Sequence, residues 1–154
     1  GMEIQRWTRD WAAPGDFKAP DQYRKNAVAT LSTHDMNAFS AWWEVETQPA
    51  ERELFWRYLG LKGEPISHAS ATLLTEALTK VSRSQAIFCI ESLQDWLSLG
   101  HLFGKADPEV RINIPGVVSP NNWTLRAPVA LEEWGRFPFN ETILKMHKET
   151  CRVL

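Results

Sequence analysis

His34 and Asp35 stand side by side at the end of an apolar run, in the segment Asn26-Ala-Val-Ala-Thr-Leu-Ser-Thr-His-Asp35. A carboxylate there can accept hydrogen bonds from the hydroxyls of a bound sugar while the imidazole donates another. The carboxyl end of a buried parallel strand is also where barrel enzymes carry their chemistry. An Asp that caps the next helix beside an ordinary turn histidine would account for the same pair. Two further segments, Arg111-Ile-Asn-Ile-Pro-Gly116 and Asn121-Asn-Trp-Thr-Leu-Arg126, are more specific than the dyad.

Other chemistries fit less well. Gly100-His-Leu-Phe-Gly-Lys105 lacks one spacer residue of a phosphate loop, and no Ser or Thr follows its lysine. His34, His68, His101 and His147 have no metal-ligand spacing with one another or with the cysteines, so neither a metal nor another cofactor is expected. There is no Gly-x-Ser-x-Gly elbow for a serine nucleophile.

The elements that must position these residues follow from period and breakers. Residues 1–25 read as an irregular lead-in, with Pro14-Gly15 and Pro20-Asp21 as breakers. Residues 26–90 read as a strand–helices–strand unit. Its strands are Ala27–Leu31 and Ala86–Ile90, both short, apolar and bounded and so read as buried, which implies parallel pairing. Between them, one helix is expected from Asp35 to about Val45. A second starts at Pro49 and stops at Gly60, and a third spans Ser67 to Val81 with Leu73, Leu74, Ala77, Leu78 and Val81 at helical spacing. Residues 91–139 read as a long closing loop with a short helix near Leu93–Leu97, and residues 140–154 as a terminal helix capped by Asn140.

A length of 154 residues suits one domain. The net charge of −2 offers no basic stripe for nucleic acid, and no apolar run is long enough to span a membrane. Without a signal pattern, Cys89 and Cys151 read as reduced thiols and the chain as cytoplasmic. Gly1 ahead of Met2 reads as a cloning remnant. Trp7, Trp11, Trp42, Trp43, Trp56, Trp96, Trp123 and Trp134 serve either core packing or stacking on sugar rings.

Here a family resemblance enters. Val28-Ala-Thr-Leu-Ser-Thr-His-Asp35 followed by Trp42-Trp43-Glu44 resembles the seventh-strand region of the 4-α-glucanotransferases of glycoside hydrolase family 77, the amylomaltases or disproportionating enzymes. Arg6-Trp7 and Arg9-Asp10 resemble the segment before it. Ala86-Ile-Phe through Leu93-Gln-Asp95 resembles the eighth strand and its exit, and the Arg111–Gly116 and Asn122–Arg126 motifs resemble the closing loop. The resemblance runs in order from about Ile4 to Pro128. It implies an α/β fold, a C-terminal fragment of a (β/α)8 TIM barrel holding the last two strands, predominantly helical with a long closing loop. It also implies retaining transglycosylation on maltooligosaccharides and α-1,4-glucans. Asp35 would stabilise the transition state through the 2- and 3-hydroxyls of the sugar, and His34 would contact the same ring. Asn113, Pro115 and Gly116 would shape the substrate cleft, and Trp123 and Arg126 would brace the loop. Met36-Asn37 and Val117 depart from the family pattern, which bears on the finer substrate contacts.

Retaining transfer needs a nucleophilic carboxylate and a separate acid/base carboxyl about 5–5.5 Å apart. In the resembled family these lie on the fourth and fifth strands, for which this chain shows no counterpart. Glu91 and Asp95 are the acidic residues that could be asked to substitute, and for Glu91 a bracing hydrogen bond is expected instead. The expectation is therefore a chain that is catalytically incomplete by itself. The alternative is a non-catalytic α-glucan-binding or structural remnant of the barrel. Uncovered strands call for a partner, either the missing N-terminal barrel half or a second copy, beside the glucan; neither nucleic acid nor a membrane is expected.

Overall fold

The run Ala27–Leu31 supplies the middle of a parallel sheet, and everything else is arranged around it. The computed structural model describes residues 1–13, 15–100, 102 and 111–152. The phosphate-loop-like segment therefore lies outside the described residues except for Gly100 and Leu102, as does His101. Strands β1 (Met2–Ile4), β2 (Val28–Thr30) and β3 (Phe88–Cys89) form one sheet in the order β1-β2-β3. Both pairings are parallel, with Glu3 opposite Ala29 and Ala29 opposite Cys89.

There are thus three strands, not two, and the lead-in is not wholly irregular. The reason β1 escapes an apolar-pattern reading is chemical. Its buried side chain is Glu3, followed by buried Gln5 and Arg6. Each is paired: Arg24 Nε donates to Glu3 Oε1 at 2.7 Å, Gln5 Nε2 to Ala77 O at 3.1 Å, and Arg6 Nη2 to Asn37 O at 2.7 Å. Buried polar groups are tolerated when they are hydrogen-bonded, and here they replace the apolar residues that would mark a strand.

The helices pack on this sheet through an aromatic core. Helix α1 (Phe39–Ala41) runs straight into a π-helical turn (Trp42–Glu46), and α2 spans Pro49–Leu59. Phe39, Trp42, Trp43 and Phe55 are all buried, with the Trp42 and Phe55 rings edge-on at 5.0 Å. The Trp43 carbonyl is taken up by Thr47 Oγ1 at 2.6 Å and Arg52 Nη2 at 2.9 Å. Helix α2 begins with Pro49 and ends at Gly60, whose φ of +81° suits a residue without a Cβ. Helix α3 (Ala71–Ser82) starts after Ser70, whose Oγ accepts from Leu73 N at 3.1 Å, and buries the expected face.

Two capping expectations are corrected. Helix α4 (Leu93–Leu99) carries Asp95, and its Oδ1 accepts from Phe39 N at 2.8 Å. Asp95 thus caps α1 from a distant part of the chain, and Asp35 does not. Helix α5 (Phe139–Glu149) begins after Pro138, while Asn140 lies inside it and donates Nδ2 to Trp134 O at 2.6 Å. Beyond α5, Arg152 donates to Ser82 O at 2.8 Å and Ala86 O at 2.9 Å, fastening the end of the chain to the turn between α3 and β3. Between α4 and α5, residues 111–130 form the closing loop, followed by a short 3-10 turn (Leu131–Arg136).

Strand β3 is not the buried strand that its apolar run predicts: Ile87, Phe88 and Ile90 are exposed, and among the described residues no strand pairs with its outer side. Cys89 and Cys151 are free thiols, and among the described residues no helix is long and apolar enough to cross a membrane.

Two stability predictions follow from the buried charges. Burial draws the Arg6 guanidinium down to about 10, against the pull of Asp95 and Glu46, and burial raises the Asp95 carboxyl. Asp95→Ala removes both the cap of α1 and the main counter-charge of Arg6, and should cost about 3 kcal/mol. Urea unfolding measures this, and Asp95→Asn, which keeps an acceptor for Phe39 N, should cost less. Glu91 is the second case. Its Oε2 accepts from Leu31 N at 3.2 Å and its Oε1 from the Cys89 thiol at 3.2 Å, so it ties β2 to β3. Burial pushes Glu91 up from its ordinary 4.5 to about 8. The folded chain therefore holds a proton that the unfolded chain has released, and the contribution of Glu91 falls as pH rises from about 4.5 to about 8. Comparing urea midpoints at pH 5 and pH 9, Glu91→Gln should match the parent at the lower value and exceed it at the higher.

Candidate functional site

The end of β2 turns sharply at Thr33, which accepts from Asp35 N through Oγ1 at 3.3 Å and from Met36 N through its carbonyl at 3.1 Å. This turn lifts His34 and Asp35 out of the core at the carboxyl end of the sheet. From beneath, Arg6 Nε donates to Leu31 O at 3.3 Å while Arg6 Nη2 holds Asn37 O, so the turn is gripped on both flanks. Because Asp95 caps α1, the Asp35 carboxylate is not spent on a helix N-terminus.

What Asp35 meets instead is the closing loop. Asn113 Nδ2 donates to Asp35 Oδ1 at 2.5 Å, and Asn113 N donates to His34 O at 3.1 Å. Arg111 spans the joint, giving Nη2 to Asp35 O at 2.6 Å and Nε to Asn113 O at 3.0 Å. His34 Nε2 lies 3.4 Å from Asp35 Oδ1. The side chains of His34 and Asp35 remain 53% and 40% exposed, so both can still meet a ligand.

The loop has its own internal order. Pro115 and Gly116 sit at the centre of a turn closed by Val117 N and Ile114 O at 3.3 Å, and Gly116 takes the φ of +75° that such a turn requires. Asn122 binds the loop across its base, accepting from Ile114 N at 3.2 Å and donating to Val117 O at 2.9 Å. Trp123 N donates to Ile112 O at 2.7 Å, and the Trp123 ring lies 4.9 Å from that of His34. Arg111, Ile114, Asn122 and Arg126 help line a cavity of about 690 Å3 within the loop.

His34, Asp35 and Asn113, singled out from the sequence, are therefore brought into one cluster, whereas Pro115 and Gly116 form the loop's turn and Arg126 lines the cavity beside it. Arg111 was visible as part of a motif but not as the residue that joins loop to dyad. Its role depends on a pairing across 76 positions, for which local spacing carries no signal. Glu91 and Asp95 are both committed to backbone amides. Among the described residues, no group of three His, Cys, Asp or Glu side chains is disposed to hold a metal ion.

Comparison with known proteins places the chain in a family and a fold. Residues 1–131 match the family pattern described as 4-alpha-glucanotransferase. The 4-alpha-glucanotransferase of Chlamydia trachomatis serovar D is 37% identical over 134 residues, a stretch covering 86% of this chain and 25% of that protein. Its counterpart in Chlamydia muridarum is 35% identical with the same coverage. This chain thus spans about a quarter of the length of these relatives. Among solved structures, the amylomaltase of Streptococcus agalactiae, determined in complex with acarbose, superposes with a TM-score of 0.69 at 20% identity, over 97% of this chain and 27% of that one. The amylomaltase of Corynebacterium glutamicum gives 0.66 at 19% identity, over 95% and 25%. At these identities the structures speak for a shared fold.

The Asn113–Asp35 bond generates a local prediction. Asn113→Ala should speed amide exchange at residues 113 and 123 roughly fivefold, equivalent to about 1 kcal/mol for one hydrogen bond to a half-exposed carboxylate. The global urea midpoint should stay put, because Arg111 and the backbone bonds remain. A change in midpoint with no local change in exchange would refute this account.

Proposed function

This chain belongs to the 4-alpha-glucanotransferases, glycoside hydrolase family 77, and on that premise we propose that its His34–Asp35 turn is a sugar-binding element of a glucan-transferring cleft. The substrate class is a maltooligosaccharide or other α-1,4-glucan, and the reaction is retaining transfer of a glucosyl chain. The observation that carries this reading is the state of Asp35: a half-exposed carboxylate at the carboxyl end of a parallel sheet, freed from capping and oriented by Asn113.

In this role Asp35 accepts hydrogen bonds from adjacent sugar hydroxyls, His34 donates to the same ring, and Arg111 holds the loop that closes over them. As charge develops at the anomeric carbon, a fixed carboxylate stabilises it without reorganising. Asp35 cannot be nucleophile and acid at once, and Glu91 and Asp95 are occupied by backbone amides. The carboxylate pair that retaining transfer requires is therefore assigned to other parts of a longer enzyme, in keeping with the quarter of the relatives' length spanned here. The parallel strands read as consecutive staves of a barrel wall. Exposed Ile87, Phe88 and Ile90 along β3 favour an edge completed by further structure, either the remaining barrel or, in the second reading, another copy of a binding or structural remnant.

Two assays test the proposal together. Maltoheptaose titrated into the chain by calorimetry should bind saturably, and Asp35→Ala should weaken that binding at least about tenfold, as expected for losing a charged hydrogen-bond acceptor. The chain alone should release no glucose from maltotriose and should do so when the remaining part of a family member is supplied in trans. Binding indifferent to Asp35→Ala would overturn the assignment of the dyad. Failure of the complemented mixture would favour the non-catalytic remnant.

A further inference from the structure

The loop that closes on Asp35 exposes a tryptophan that its own architecture does not need. Trp123 is 64% exposed and has a φ of +65°, a left-handed conformation disfavoured for any residue with a Cβ. Bracing of the loop is carried out by other atoms. Asn122 ties Ile114 to Val117 through its side chain, Arg111 ties Asn113 to Asp35, and among the described residues the hydrogen bond of Trp123 is made by its backbone amide, to Ile112 O. The indole itself is laid beside His34, ring centroids 4.9 Å apart and tilted by 43°. A left-handed backbone at a residue as bulky as tryptophan is costly for folding alone.

The chemistry of the neighbouring groups says what such a surface would receive. Asp35, His34 and Asn113 present acceptors and donors suited to a rim of hydroxyls. A pyranose ring also has an apolar face of C–H groups, and polar contacts alone leave that face in water. Binding sites combine a few polar groups with apolar or aromatic surface, and an indole offers the largest flat one. We propose that the Trp123 indole is a stacking platform for the pyranose ring whose hydroxyl edge is met by Asp35 and His34. This makes Trp123 a sugar-binding residue, where the family resemblance implies a loop brace; the inference rests on the glucan reading above.

The left-handed φ makes a discriminating experiment available. Glycine adopts that backbone readily, so Trp123→Gly removes the ring while leaving the loop unstrained. Maltoheptaose calorimetry on the parent, Asp35→Ala, Trp123→Gly and Trp123→Phe should show Trp123→Gly weakening binding by roughly tenfold or more, as for a central aromatic contact, and Trp123→Phe retaining most of it. The thermal midpoint of Trp123→Gly should equal or exceed that of the parent, and amide exchange at Asn113 should not change. Unaltered binding by Trp123→Gly, with binding still lost in Asp35→Ala, would overturn the platform and leave the dyad standing. Lost binding accompanied by faster exchange at Asn113 would also overturn it, returning Trp123 to a bracing role. A parent chain that binds no maltoheptaose would instead remove the glucan reading, and the platform with it.

Discussion

A buried guanidinium and a buried carboxylate hold the site from below, and the rest of the structure is arranged to permit this. Arg6, leaving the end of β1, donates to the carbonyls of Leu31 and Asn37 on either side of the His34–Asp35 turn. Asp95, from α4, takes the free amide at the start of α1. Together they satisfy polar backbone that a sharp strand-to-helix turn leaves unpaired. Neither charge would be tolerable alone in that interior. Each lowers the electrostatic cost of the other, and the Trp42 face, 5.2 Å from the guanidinium, adds a cation–π contact.

This arrangement has a direct consequence for chemistry. A helix that begins just after a candidate catalytic Asp would ordinarily claim that Asp as its cap. Because α1 begins at Phe39 and is capped from α4, Asp35 keeps its carboxylate for Asn113 and for solvent. The closing loop then completes a cluster in which two of its side chains, Arg111 and Asn113, bind Asp35. An aromatic core lies beneath the cluster and a hydrogen-bonded loop above it, so its groups are held in place by the fold itself.

The open β3 edge gives the structure a different kind of constraint. An edge with no strand partner among the described residues, flanked by exposed Ile87, Phe88 and Ile90, is a template for further pairing, and parallel sheets are ordinarily covered on both faces. Glu91 bridges β2 and β3 just inside that edge, so its proton balance and the integrity of the edge are linked. The chain spans about a quarter of the length of the relatives it matches.

Much of this was legible in the residues themselves. The apolar run around Val28–Thr30, the Pro49 and Gly60 bounds of α2 and the periodic face of α3 are local signals, and the matching elements formed where those signals lie. The His34–Asp35 dyad and the Arg111–Gly116 motif could likewise be picked out by residue type. Three things could not. Strand β1 was hidden because its buried residues, Glu3, Gln5 and Arg6, are polar and depend on distant partners. By position along the chain the adjacent Asp35 is the natural cap of α1, whereas the acceptor comes from Asp95, 56 positions away. The union of Asn113 with Asp35 spans 78 positions. Sequence determines what depends on neighbours along the chain, namely propensity, breakers and apolar period. Which buried polar group answers which backbone amide is a matter of three-dimensional proximity, and only the tertiary structure decides it.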